Sequence, residues 1–207
     1  MIEWLAFASY IAVMSITPGP NNIMLASSGV NFGFRRTVPH IFGISLGCAL
    51  QLALCTVALT LVLRWIGPLR LPFALAGCGY LLWLSWQLAR AGAPGEAAGR
   101  AAHRPMSVWG AAIFQWINPK AWVMVVNTAI LFAPAQSQLL QGAALLSLGI
   151  ALINLPCISV WALAGDALRR QLQHPAALRI FNLTMAVLMG GTALWLLHGE
   201  LLQAGAG

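Results

Sequence analysis

Apolar residues run along this chain in long, nearly unbroken stretches, and the polar residues collect between them. This is not the short-period alternation of half-buried helices and strands. Six stretches approach the roughly 20 residues of helix that cross about 30 Å of hydrocarbon. They cover 4–27, 38–63, 71–88, 108–132, 139–163 and 180–198, and of all the charged residues only Lys120 lies inside one of them. The pattern predicts an all-α integral membrane protein with six transmembrane helices.

Two of the six stretches carry a backbone break. Thr17, Pro18, Gly19, Pro20, Asn21 and Asn22 interrupt the first, and Asn118, Pro119 and Lys120 interrupt the fourth. At helical rise, Pro18 lies about 21 Å along the first span and Lys120 about 18 Å along the fourth, so both breaks fall near the bilayer midplane. Proline removes backbone donors and glycine tolerates dihedrals outside a helix interior, so the first span is expected to unwind or kink.

Splitting the chain at 103/104 places three spans on each side, and short matches recur in order. Ile16-Thr17-Pro18 pairs with Ile117-Asn118-Pro119, Gly43-Ile44-Ser45-Leu46 with Gly149-Ile150-Ala151-Leu152, and Gly79-x-x-x-Trp83-Leu84 with Gly191-x-x-x-Trp195-Leu196. Because three is odd, the second half enters the membrane from the opposite side. The expected architecture is therefore two inverted three-helix repeats, residues 1–103 and 104–207, forming one membrane domain, a plan common among transporters.

Composition and charge agree with a bilayer. Of 207 residues, 60% are hydrophobic and 7% charged, against about 25% charged in a soluble domain. The net charge of +7 comes from short clusters between apolar runs, which argues against nucleic acid as a partner. Arg35, Arg36, Arg90, Arg100, Arg104, Arg169, Arg170 and Arg179 fall in the odd-numbered connections, and only Arg64 and Arg70 in the opposite set. Positive loops stay cytoplasmic, so both termini are expected to be periplasmic. The N-terminal run has no basic flank and meets Pro18-Gly19-Pro20 where a cleavage site would lie, so it reads as the first helix and not as a signal peptide. Cys48, Cys55, Cys78 and Cys157 show no metal-ligand spacing and read as packing residues. No cofactor and no metal is expected. No P-loop or catalytic cluster is present either, so an enzyme or an ATP-driven pump is not expected.

The chemistry that remains belongs to the breaks. Lys at a helix centre is unfavourable by about 2.5 to 3.5 kcal/mol on insertion scales, so it requires a partner or a watery path. The candidates are carbonyls freed by the breaks, an amide such as Gln115 or Asn154, or the carboxylate of a solute. The helix restarting after Pro20 presents N–H groups and a positive dipole end, which suits a carboxylate. On this reading Lys120 and the start of that helix hold the carboxylate of an amino acid. Asn21, Asn22, Gln115 and Asn118 take its amino group and side chain, and Asn154, just before Pro156, lends a further amide. Gln51, Asn127 and Asn182 read mostly as interhelical glue. Asp166, beyond the fifth span, is a candidate proton carrier beside Lys120, or an ion-pair partner of Arg169 or Arg170.

The motifs Thr17-Pro18-Gly19-Pro20-Asn21-Asn22, Asn31-Phe32-Gly33-Phe34-Arg35-Arg36 and Phe114-Gln115-x-x-Asn118-Pro119-Lys120-Ala121 resemble the LysE/RhtB family of amino-acid exporters. Gly79-Tyr80-Leu81-Leu82-Trp83-Leu84 and Trp161-Ala162-Leu163-Ala164-Gly165 extend the resemblance over nearly the whole chain. It implies a bacterial inner-membrane secondary transporter that exports amino acids or close derivatives in exchange for protons. The substrate would be of the cysteine/O-acetylserine, homoserine or threonine type, and the first branch is the most similar. Many relatives carry Asp after the T-P-G-P motif, where this chain has Asn21. The expected partners are an amino-acid substrate and the lipid bilayer, and a homo-oligomer is compatible with the sequence. An importer using the same site and a non-transporting membrane scaffold are the alternatives.

Overall fold

A computed structural model describes residues 3–90, 104–132, 138–171 and 174–205, which form helices and short turns with no strand among them. The helices are α1 (Trp4–Ile16), α2 (Pro20–Phe32), α3 (Phe34–Val57), α4 (Leu59–Ala89), α5 (Val108–Ile117), α6 (Pro119–Leu131), α7 (Leu139–Gln171) and α8 (Pro175–Gly205). Among the described residues, three helical segments are long and apolar enough to cross a membrane: Phe34–Val57, Leu139–Arg169 and Ala176–Gly199. The shorter α1, α5 and α6 are apolar as well.

The ends of these helices follow from backbone chemistry. Pro20 and Pro119 open α2 and α6, the position where a missing N–H is harmless and the fixed φ already suits a helix. Asn118 caps α6 by accepting from Lys120 N at 3.1 Å, and Ser107 caps α5 by accepting from Gly110 N at 3.1 Å. Between α2 and α3 the chain turns on Gly33 alone, whose φ of 85° lies in the region that favours glycine.

Three sequence-based boundaries move. The connection expected around Arg35 and Arg36 shrinks to Gly33, because both arginines lie in the first turn of α3. The connection expected at residues 64–70 is helical, and α3 ends earlier, where Ala58 leaves helical geometry at φ −112° and ψ 30°. Charge lowers hydropathy there without breaking the backbone ladder, so Arg64 and Arg70 lie within α4 and not in a turn. Helices α7 and α8 also overrun their apolar stretches. The expected divide between halves borders residues 91–103, which lie outside the described residues.

At the centre α3 packs against α7; α2 and α1 lie on α7, α5 and α6 lie on α3, and α4 pairs with α8. Small residues permit the close crossings. A Cβ on Gly29 would strike the Ala162 carbonyl, and one on Gly165 the Ala26 carbonyl, so α2 and α7 touch backbone to backbone. Gly43 and Gly47 do the same for α3 against Val108 and Ala112 of α5. Phe7, Ile11, Leu25, Ile44, Leu146 and Ile150 fill the core, while Leu5, Leu140, Val187 and Trp195 stand on the outside, each more than 70% exposed. An apolar exterior on this scale fits lipid, not water.

Amides tie the helices together inside. Asn31 and Asn182 exchange bonds between α2 and α8 at 3.1 and 3.4 Å, and Gln51 Nε2 donates to the Gln115 carbonyl at 3.0 Å. Asn127 departs from the expected glue role, since it is exposed on α6.

Candidate functional site

The two breaks meet. Between Ile16 and Pro20 the chain is extended, so the carbonyls at the end of α1 lose their helical partners. Those of Ser15 and Ile16, and the Thr17 and Pro18 carbonyls beyond them, are satisfied from elsewhere in the fold. Asn22 Nδ2 reaches back to the carbonyls of Ser15 at 2.9 Å and Thr17 at 2.7 Å. Trp161 Nε1 on α7 donates to the Ile16 carbonyl at 3.2 Å. Lys120 Nζ, from the other break, donates to the carbonyls of Thr17 at 2.5 Å and Pro18 at 3.3 Å. Of the partners left open for Lys120, freed carbonyls are the ones it takes.

Gly19 makes this approach possible for a steric reason. Its φ of −178° lies outside a helix interior, as the expected break requires, but is extended backbone that any residue adopts. A Cβ on Gly19 would meet Lys120 Cδ at 2.8 Å and Nζ at 3.0 Å, so the lysine side chain lies flat across it.

Gln115 organises the second break. Its Oε1 accepts from Asn21 Nδ2 at 2.9 Å and Asn118 Nδ2 at 3.3 Å, while its Nε2 donates to Asn21 Oδ1 at 3.2 Å and the Ala111 carbonyl at 2.9 Å. Trp122 Nε1 donates to the Trp116 carbonyl at 2.7 Å. Asn154 Nδ2 on α7 donates to Ser45 Oγ on α3 at 3.2 Å.

A cavity of about 30 Å³ lies between the breaks. Gly19, Asn21, Asn22, Asn118, Lys120 and Asn154 line its polar side, and Met14, Cys48, Met124 and Ile158 its apolar side. Ordinary ligand pockets hold upwards of about 300 Å³, so the helices must part to admit more than a water-sized guest. The polar groups mix donors and acceptors, and no carboxylate lines the cavity. Ile23 N is the first amide of α2 to bond back, to the Gly19 carbonyl at 3.0 Å, so the N–H groups of Asn21 and Asn22 precede that ladder.

Most of the site residues named from sequence therefore gather at one place: Thr17, Pro18, Gly19, Asn21, Asn22, Gln115, Asn118, Lys120 and Asn154. Pro20 and Pro119 act through the backbone as helix openers. Asn22, expected to face solute, has its amide nitrogen committed to the α1 carbonyls. Asp166 does not line the cavity; its carboxylate and the Arg169 guanidinium converge on Gly33 instead. Sequence reasoning missed Ser15, which lines the cavity, is 5% exposed and has no hydrogen-bond partner for its hydroxyl. A polar residue one turn before a proline break was its only signal. Met14, Met124 and Ile158 carry no signal distinguishing them from core.

Comparison with known proteins gives the chain its family. The family model described as LysE type translocator matches residues 12–200. The cysteine/O-acetylserine efflux proteins of Escherichia coli, Shigella sonnei and Salmonella typhimurium are each 31% identical to the chain over 185 residues, covering 89% of this chain and 92% of theirs. No solved structure matches. Proteins of this family are transporters and not enzymes, and on the match across nearly its whole length this chain belongs to the LysE-type translocators.

Proposed function

We propose that the chain exports small neutral amino acids or close derivatives, of the cysteine/O-acetylserine kind, across the bacterial inner membrane in exchange for protons. The observation that carries this reading is the meeting of Lys120 with the Thr17 and Pro18 carbonyls, a cation and a proline-broken helix from opposite halves of the chain. Discontinuous helices facing each other are how many secondary transporters build a substrate site. Lys120 and the first N–H groups of α2 receive the substrate carboxylate. Asn21, Asn118, Asn154 and the unpartnered Ser15 hydroxyl line the cavity and are the polar groups available to the rest of it, with Gln115 behind them holding Asn21 and Asn118 in place. Without a lining Asp or Glu, a lysine or arginine side chain would find no counter-charge, whereas Met14, Cys48, Met124 and Ile158 suit a short, uncharged one. The substrate named for the relatives fits that lining.

In this reading α1 with α2, and α5 with α6, are two interrupted spans, and α3, α4, α7 and α8 complete six. The packing supports inverted halves. Gly43 of α3 sits on Val108 at the start of α5, and its counterpart Gly149 of α7 sits on Trp4 and Phe7 at the start of α1. The third pair of matched glycines, Gly79 and Gly191, both face open space. With the arginine-rich connections inside, both termini are periplasmic. Asp166, away from the cavity near the arginine-rich end, remains a candidate for handing protons to the exchange.

Direction is tested in cells. Cells expressing the protein and challenged with growth-inhibiting cysteine are expected to grow better than controls, with cysteine or its acetylated precursor accumulating in the medium. Increased sensitivity would mean uptake and would overturn export.

A further inference from the structure

The seat that holds Lys120 suits an ammonium group of any origin. Its two acceptors are main-chain carbonyls, Thr17 and Pro18, at the C-terminal end of α1, where the helix dipole adds partial negative charge. Nothing in the seat reads the lysine's butyl chain, which only lies across Gly19. An α-amino acid offers the same three-donor ammonium, with a carboxylate attached to the same carbon. Lys120 is also the only lysine in the sequence.

We propose that Lys120 is a tethered stand-in for the substrate's α-ammonium. It occupies the Thr17–Pro18 seat until an amino acid arrives, then yields that seat and moves onto the incoming carboxylate. This rests on reading the cavity as the substrate site and adds how the Thr17 and Pro18 carbonyls, which stand beside the cavity and do not line it, are kept occupied between substrates. The exchange conserves charge and proton count: one ammonium replaces another on the carbonyls, the displaced one pairs with the carboxylate, and no covalent bond forms or breaks. It also predicts that both ends of the substrate are required. A carboxylate without an ammonium would draw Lys120 away, strand the Pro18 carbonyl and leave Thr17 with Asn22 alone, and an ammonium without a carboxylate would evict Lys120 with nothing to receive it. Gly19 supplies the clearance over which the side chain slides.

The single lysine makes the exchange directly visible. Protein produced with lysine labelled with ¹³C at Cε is expected to show one resonance from Lys120, shifted by L-cysteine but not by equal concentrations of 3-mercaptopropionate or cysteamine. An equal shift with 3-mercaptopropionate would overturn the proposal, because the lysine would then follow carboxylate alone. A second arm uses Lys120→Ala, which opens the seat. Ethylammonium is expected to stabilise this variant against heat at concentrations at least tenfold lower than it needs for the wild type, and tetramethylammonium, which has no N–H, should have no effect. No gain for ethylammonium in a folded variant would also overturn it. Counterflow of labelled cysteine in the same wild-type preparation separates the two readings. Transport with an unmoved lysine resonance sinks the stand-in and leaves the transport reading intact. Absence of transport sinks cysteine as substrate, and the ethylammonium arm still decides the seat.

Discussion

Asn22 and Ser15 sit side by side at the first break and do different work. The Asn22 amide nitrogen is the donor that closes the end of α1, serving two carbonyls at once. Asn22→Leu would leave the Ser15 carbonyl without that donor and Thr17 with Lys120 alone, and a buried polar group left unpaired is unfavourable by about 1–3 kcal/mol. The detergent-solubilised variant is expected to melt several degrees below wild type. The Ser15 hydroxyl, by contrast, holds nothing in the protein. Ser15→Ala should leave the melting temperature unchanged and raise the transport KM about fivefold, the equivalent of one hydrogen bond of about 1 kcal/mol. At this scale the sequence was legible where a residue broke a rule: a lysine in an apolar run, or prolines in a helix. Ser15 and Trp161 broke none, because serine and tryptophan are ordinary in membrane helices, and only the fold brings Trp161 Nε1 to the Ile16 carbonyl.

At the scale of elements, the helices are held by backbone contacts that only glycine permits. Gly29 and Gly165 each face a carbonyl across the α2–α7 crossing, whereas Gly79 and Gly191 have open space where a side chain would go. Gly29→Ala is therefore expected to force the helices apart and destabilise by about 1–3 kcal/mol or more. Gly79→Ala should be neutral or stabilising, since alanine favours a helix by up to about 1 kcal/mol over glycine. Thermal unfolding of both variants in the same detergent checks the pair, and equal effects would contradict the crossing. Element types were readable from the long apolar runs, but boundaries were not. The break after Val57 carries no proline or glycine, while Arg64, Gly67 and Arg70 read as a connection and lie within α4. A hydropathy minimum reports what a segment is solvated by, and the backbone ends a helix by different rules.

At the scale of the whole molecule, the local features converge because the two halves bring their breaks to one place. Thr17 and Lys120 are 103 residues apart and hydrogen-bonded, a contact that no local pattern contains. The ordered matches between the halves predict that the breaks are equivalent; which group would answer the lysine was settled by geometry alone. The measurement that tests the central claim most directly is counterflow of labelled cysteine into proteoliposomes preloaded with unlabelled cysteine, comparing wild type with Lys120→Met at matched amounts of folded protein. Wild type is expected to accumulate label transiently, and Lys120→Met to lose at least 95% of that rate while keeping its gel-filtration profile. A folded Lys120→Met protein exchanging at the full wild-type rate would contradict a substrate site built on the two breaks.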